Sequence, residues 1–253
     1  MKTKHSFINR IIYLIGICIF FLCNDALPQS QWAWIGGDKF LPSPVYGIMG
    51  VPSISNKPQA VYEGARWTDK DGNFWIFGQD VDDMWRYNPY TQEWTWWTWM
   101  AGSSLGNATA SYGIKGVASP TNAPAGRAVY TPFKDVNGNF FVFGGFNNVA
   151  YSPLNDVWKY DPTTNLWTWV SGVAGPNQTS NFTTTCSPDT IQYPWGRIEN
   201  RATWAFGNHF INFGGMDIQH GFFSDVWSFD ATCRGGGCQR RHACCWHQAY
   251  RRR

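Results

Sequence analysis

Apolar residues in this chain occur in short runs of about strand length, and each run is stopped by glycine, proline or Asx residues. The clearest stretch is Asn139 to Trp169. It opens with Phe140-Phe141-Val142-Phe143 and stops at Gly144-Gly145. After a loop comes Asn155-Asp156-Val157-Trp158-Lys159-Tyr160-Asp161-Pro162, and then Trp167-Thr168-Trp169. No window sustains a 3.6-residue period, so the pattern predicts strands.

The same wording occurs upstream as Phe74-Trp75-Ile76-Phe77-Gly78, Asp83-Met84-Trp85-Arg86-Tyr87-Asn88-Pro89 and Trp94-Thr95-Trp96. It recurs downstream as Phe210-Ile211-Asn212-Phe213-Gly214-Gly215 and Asp225-Val226-Trp227-Ser228-Phe229-Asp230. Phe77 to Phe143 is 66 residues (143 − 77) and Phe143 to Phe213 is 70 (213 − 143). This is an internal repeat. Each unit reads as four strands. The first follows a Gly/Arg pair (Gly64 with Arg66, Gly126-Arg127, Gly196-Arg197), the second ends at glycine, the third carries Asp-x-Trp-x-Tyr/Phe and the fourth carries Trp-x-Trp.

This order of motifs, over roughly Trp32 to Asp230, resembles the kelch repeat of kelch and galactose-oxidase-like β-propellers. One copy departs, because Gly78 is followed by Gln79 and not by a second glycine. The resemblance implies an all-β fold of about three four-stranded blades, a partial propeller. It also implies fold roles for Gly78, Gly144, Gly145, Gly214 and Gly215, for Asp83, Asp156 and Asp225, and for Trp85, Trp158 and Trp227. Arg66, Arg127 and Arg197 are expected to pair with acidic residues between blades. The fourth-strand pattern also occurs alone at Gln31-Trp32-Ala33-Trp34-Ile35-Gly36-Gly37. That segment is expected to close the ring by completing the last blade.

Residues 1–30 read as a secretory signal. Lys2, Lys4 and Arg10 precede the apolar run Ile11 to Cys23, which is shorter than the ~20 residues a membrane span needs. The expected organisation is therefore a signal at 1–30, blades at 31–230 and a Cys/Arg-rich tail at 231–253. The tail breaks the repeat: the fourth-strand tryptophan falls due near Gly236, inside Cys233-Arg234-Gly235-Gly236-Gly237-Cys238. A failed reading frame near Asp230, in a longer propeller, is the expectation there.

Net charge changes the picture only once it is divided. The chain totals +3, but residues 31–230 hold 11 Lys+Arg against 16 Asp+Glu, a net of −5. A mildly acidic body argues against a nucleic-acid face. Of the 7 cysteines, Cys18 and Cys23 lie in the signal, Cys186 in an insert and the other four in the tail, so no disulfide framework spans the blades. The tail cysteines with His242 and His247 fit no paired zinc spacing.

Asp69-x-Asp71-Gly72-Asn73 and Asp135-x-Asn137-Gly138-Asn139 have calcium-like wording, but Phe74 and Phe140 stand where a calcium loop needs glycine. They are read as hairpin turns between first and second strands. No metal and no cofactor is expected. The copper oxidase reading, an alternative drawn from the galactose-oxidase resemblance, needs two Tyr and two His. The blades offer only His209 and His220, and no motif carries the ligands over.

The inserts at 38–58, 101–124 and 171–194 are rich in Gly, Ser, Asn, Thr and Pro and are expected to build a loop face. The sequons at Asn107, Asn177 and Asn181 fall in them, as expected of a secreted glycoprotein. Trp97 and Trp99 stand outside the repeat as read, and Tyr46 and Tyr112 recur at matching insert positions. These four are the candidate binding residues. The expected function is a secreted, non-enzymatic module that recognises a protein or a carbohydrate through that face. Exposed blade edges are expected to pair with other strands.

Overall fold

The computed structural model describes residues 32–34, 37–38, 43–78, 81–90, 97–104, 108–176, 179–181, 191–200 and 202–232. The chain divides into two units, Met1–Ile35 and Gly36–Arg253, and all the blades lie in the second. Every regular element among the described residues is a strand.

The first blade is one antiparallel sheet of β1 (Ala65–Thr68), β2 (Phe74–Phe77), β3 (Met84–Tyr87) and β4 (Trp97–Ala101), in that order. The second is β5 (Thr131–Lys134), β6 (Phe140–Phe143), β9 (Val157–Asp161) and β10 (Leu166–Ser171). Between β6 and β9 it carries a hairpin of β7 (Phe146–Asn147) and β8 (Ser152–Pro153). The third blade has β11 (Ala202–Phe206), β12 (His209–Phe213) and β15 (Val226–Asp230), with a hairpin of β13 (Met216–Asp217) and β14 (Gly221–Phe222).

Register fixes the equivalences. Phe77 opposes Ala65, Phe143 opposes Thr131 and Phe213 opposes Ala202, so the three phenylalanines hold one repeat position. The hairpin turns form as the Asx chemistry predicts. Asp69 Oδ1 accepts from the amides of Asp71 and Asn73, and its Oδ2 from Asn73 Nδ2 and Trp75 Nε1. Asp135 repeats this with Asn137 and Asn139.

The main core lies between the first two blades. Trp67 stacks on Phe140 at 4.9 Å, Trp75 meets Phe140 edge-on at 5.5 Å, and Phe77 meets Tyr130 at 5.6 Å and Trp167 at 5.4 Å. The core is aromatic because two twisted sheets face each other across a gap that rings fill. A second cluster of Phe141, Phe143 and Val157 joins the second blade to Phe229 of the third.

The structure corrects the sequence reading in three places. First, the fourth strand of the first blade contains Trp97-Thr98-Trp99, with Trp97 opposite Tyr87 and Trp99 opposite Trp85. In the second blade Trp167 opposes Tyr160 and Trp169 opposes Trp158. Trp97 and Trp99 are therefore the repeat pair and not extra to it, and the first blade's turn between its third and fourth strands is longer. Trp94 and Trp96 lie outside the described residues. Second, no strand is assigned at residues 32–34 of the expected ring-closing segment, and its residues 31, 35 and 36 lie outside the described residues. Trp32, Ala33 and Trp34 belong to no strand and are exposed, and the third blade has three strands among the described residues. Third, the first two inserts are not free loops. Each lies along the fourth strand of the blade that follows it in the chain, whereas much of the insert at 171–194 lies outside the described residues. Gly50 N donates to Trp99 O at 2.7 Å and Gly116 N to Trp169 O at 2.8 Å. Asn56 Nδ2 reaches Val51 O and Trp97 O, and Asn122 Nδ2 reaches Val117 O and Trp167 O. The inserts thus cover edges that would otherwise present unpaired backbone groups.

Candidate functional site

The recurring wording of the repeat builds one polar network per blade. In the second blade Arg127 forks onto Asp156, with Nη1 at 2.6 Å from Oδ1 and Nη2 at 3.0 Å from Oδ2. Trp158 Nε1 and the Tyr112 hydroxyl both donate to Asp156 Oδ2, at 2.7 and 2.8 Å. Arg127 and Asp156 are fully buried. Burial pulls the Arg127 guanidinium down, but the Asp156 charge and hydrogen bonds outweigh that and hold it above its ordinary value. Gly144, with φ at +64°, presents its carbonyl to Arg127 Nη1 at 3.0 Å. At Gly145, with φ at +96°, a Cβ would lie 2.7 Å from Tyr130 Cβ, so a side chain does not fit.

The third blade repeats the fork. Arg197 holds Asp225 at 2.7 and 2.9 Å and Gly214 O at 2.8 Å, and Trp227 donates to Asp225. Burial works to raise the Asp225 carboxyl, and the bonds from Arg197 and Trp227 overcome it and hold it below the ordinary range. Both arginines pair within their own blade and not between blades, although the Arg197 backbone itself lies on the second blade, where Arg197 N donates to Leu154 O and Gly145 N donates to Arg197 O. Gly215 carries φ at +94°, as Gly145 does at its own turn.

The first blade lacks the arginine. By register Val61 stands at the place of Arg127, and Arg66 is exposed on β1. Asp83 accepts from Trp85 Nε1 and the Tyr46 hydroxyl, both at 2.8 Å, while its buried Oδ1 has no partner. Burial raises the carboxyls of both Asp83 and Asp82. Asp83 presses against Gly78, where any Cβ would overlap its carboxylate.

The four candidate binding residues sit in these networks. Tyr46 packs between Trp85 (5.3 Å) and Trp99 (5.1 Å), and Tyr112 between Trp158 (5.1 Å) and Trp169 (5.0 Å). Burial, and then the neighbouring aspartate, pushes both tyrosine hydroxyls up. Trp99 donates to Ala101 O, and Trp97 packs on Tyr87. All four are half-buried. Asn181 pairs with Tyr193, and its Nδ2 donates to Ile191 O at 2.9 Å. Asn107 and Asn177 lie outside the described residues, as do Cys186 and the tail from Cys233. His220 Nδ1 bonds Asp217, its ring lies against Trp195, and His209 opens β12. Among the described residues no cluster of three or more His, Cys, Asp or Glu could hold a metal ion.

The open site is elsewhere. Between the second and third blades lies a crevice of about 280 Å³, lined chiefly by Phe143, Val157, Tyr193, Phe210, Asn212 and Trp227. The matching space between the first and second blades is filled by Trp167 of the fourth strand, which packs on Phe77 and Tyr160. The third blade supplies no fourth strand among its described residues, so Phe143 faces space where Phe77 faces a ring. Asn212, which replaces Val142 of the second blade, is 8% exposed there, and neither its Nδ2 nor its Oδ1 has a partner. A buried amide with both ends open is costly unless a ligand satisfies it. The sequence offered one signal for this site: the tryptophan due after Asp230 is missing.

The second blade also matches a known sequence motif. Residues 136–171, which run from the β5–β6 turn to the end of β10, match the family model described as Kelch motif. No curated protein matches. Among solved structures, "Structure of YjhT" is similar at 16% identity and a TM-score of 0.35, covering 74% of this chain. The chain spans 64% of the length of that protein. Its four-stranded antiparallel blades and repeated Asp-x-Trp networks give the chain the fold of a partial kelch-type β-propeller, with the kelch motif itself matched in the second blade.

Proposed function

We propose that the chain is an extracellular, non-catalytic protein-interaction module that takes an extended tryptophan-bearing segment in the crevice beside β15. The observation that carries the reading is the crevice itself. It combines apolar walls, an unpartnered buried amide at Asn212 and, among the described residues, β15 at the edge of its sheet. An incoming strand would add backbone hydrogen bonds along β15 and place a ring against Phe143, the usual division between affinity and specificity in strand addition. The indole N–H is the matching donor for Asn212 Oδ1. The charged side chains of the repeat are committed to the fold, which favours binding over catalysis. Secretion rests on the basic and apolar residues of 1–30 and on the sequons.

A labelled peptide with the sequence of β10, Leu-Trp-Thr-Trp-Val-Ser, tests the reading by fluorescence anisotropy against the full chain. Saturable binding that weakens at least ~10-fold, or about 1.4 kcal/mol, when both tryptophans become alanine is the expected result. Equal binding of the two peptides, or none, would overturn it.

A further inference from the structure

The polar networks of the three blades share one frame, and the first blade holds that frame without its cation. In the second and third blades the guanidinium of Arg127 or Arg197 forks onto Asp156 or Asp225. Its Nη1 also donates to the carbonyl of Gly144 or Gly214. The glycine amide returns to the aspartate carbonyl, from Gly144 N to Asp156 O at 3.1 Å and from Gly214 N to Asp225 O at 3.0 Å. The tryptophan two residues on donates to Oδ2 of the same aspartate, as Trp158 and Trp227 do.

The first blade keeps these acceptors. Gly78 N donates to Asp83 O at 2.9 Å, and Gly78 O accepts from the Tyr130 hydroxyl at 3.2 Å. Trp85 Nε1 and the Tyr46 hydroxyl reach Asp83 Oδ2, as Trp158 and Tyr112 reach Asp156 Oδ2. Asp83 Oδ1 is the counterpart of the oxygens that receive Nη1 of Arg127 and Arg197, at 2.6 and 2.7 Å. It is buried and has no partner, on a residue that is 0% exposed. Charge sharpens the contrast. Asp82 stands where Asn155 stands in the second blade, with Ser103 N on its Oδ1 as Val173 N is on Asn155 Oδ1. The second blade thus sets one guanidinium against one carboxylate. The first buries two carboxylates, and among the described residues no Lys or Arg pairs with either. Burial outweighs the bonds from Trp85 and Tyr46 and raises the Asp83 carboxyl. The place of the missing side chain opens to solvent. Val61, at the Arg127 position, and Tyr62 after it are exposed, whereas Arg127, Ala128, Arg197 and Ile198 are all buried.

We infer that the first blade binds the guanidinium of an arginine side chain supplied by a partner protein, in the place that Arg127 and Arg197 fill in their own blades. The fork spans Asp83 Oδ1 and Oδ2, and Nη1 lies within reach of Gly78 O. A lysine ammonium is a point charge and cannot span both oxygens. A buried carboxylate without a counter-charge gains most from a cation that brings its own hydrogen bonds. The net −5 of residues 31–230 favours a basic partner. This site lies on a different blade from the crevice and does not depend on it.

Two-dimensional NMR of the full chain tests this through the assigned indole N–H resonance of Trp85, which shares Asp83 Oδ2. The probes are N-acetyl-arginine N-methylamide, its lysine counterpart and free arginine, at one ionic strength. The capped arginine should shift the resonance saturably, and bind at least ~10-fold more tightly than the capped lysine, which loses the fork. Free arginine should bind more weakly, because its own carboxylate meets an acidic surface. Asp83→Asn should abolish the response. Val61→Arg, which supplies the group within the chain, should abolish it too and raise the urea midpoint. Thermal unfolding checks that both variants fold, and Val61→Arg carries the test alone if Asp83→Asn does not. No saturable shift, an equal response to lysine, or binding retained in either folded variant would overturn the inference. Tighter binding of free than of capped arginine would overturn a partner protein as the source of the group.

Discussion

The second and third blades share three strands and an Arg–Asp–Trp network, and they differ in what lies against those parts. In the second blade a fourth strand and an insert cover the sheet, Arg127 and Asp156 are fully buried, and Trp167 closes the core. In the third, Asp225 is 36% exposed and an open crevice stands in place of that ring. The same motif is a sealed structural unit in one setting and borders an open crevice in the other. What separates them, among the described residues, is one strand.

The largest expected effects come from breaking the sealed blade. Asp156→Ala leaves the Arg127 guanidinium buried without a counter-charge and should cost about 3–5 kcal/mol in chemical denaturation. Asp225→Ala should cost clearly less, because solvent reaches that carboxylate and screens the pair. Equal costs would mean that the two networks are equally closed. Next comes the core: Phe133→Ala, which removes a ring stacked on Phe141 and Phe210, should cost about 3 kcal/mol or more, as large-to-small core changes do. The equivalent Trp204→Ala should stay within about 0.5 kcal/mol, since an exposed ring in a lone chain supports little. A large Trp204 effect that grows with protein concentration would instead report the face being covered.

Acidity sharpens the contrast between the blade without arginine and those with it. The Asp83 carboxyl is raised by burial, so its contribution to stability is fully present below the unfolded carboxylate value and is lost as pH rises through the folded one. Asp225 is lowered, so its contribution is present above the unfolded value and is lost as pH falls. Asp83→Asn should therefore gain on the wild type as pH rises from about 4 to about 7, whereas the deficit of Asp225→Asn should stay constant over that range and shrink only as pH falls below about 4. Urea midpoints above, at and below about pH 4 check the signs. The smallest effect is that of Tyr112→Phe, about 0.5–1.5 kcal/mol for one hydrogen bond to Asp156.

Much of the fold was legible because its motifs carry backbone requirements. Paired glycines mark strand ends, Asp-Gly marks hairpins, and a 66-residue spacing between Phe77 and Phe143 marks the blades. What stayed hidden depended on contacts between distant segments. Trp94 and Trp97 compete for the same repeat position, and only pairing with Tyr87 selects Trp97. Tyr46 and Tyr112 read as a binding pair because nothing local shows that Asp83 and Asp156 receive their hydroxyls. The inserts read as a loop face because their hydrogen bonds run to strands 41 or more residues away, as from Asn56 to Trp97. The crevice had only an indirect trace, a tryptophan missing after Asp230.

Hydrogen exchange along β15 gives the most direct test that the third blade is a strand acceptor. Amides of Val226–Asp230 should exchange faster than those of Val157–Asp161 in the dilute single chain, and should slow when the β10 peptide is added at saturating concentration, with β9 unchanged. Unchanged exchange on β15, or protection that appears elsewhere in the blades, would contradict strand addition at that edge.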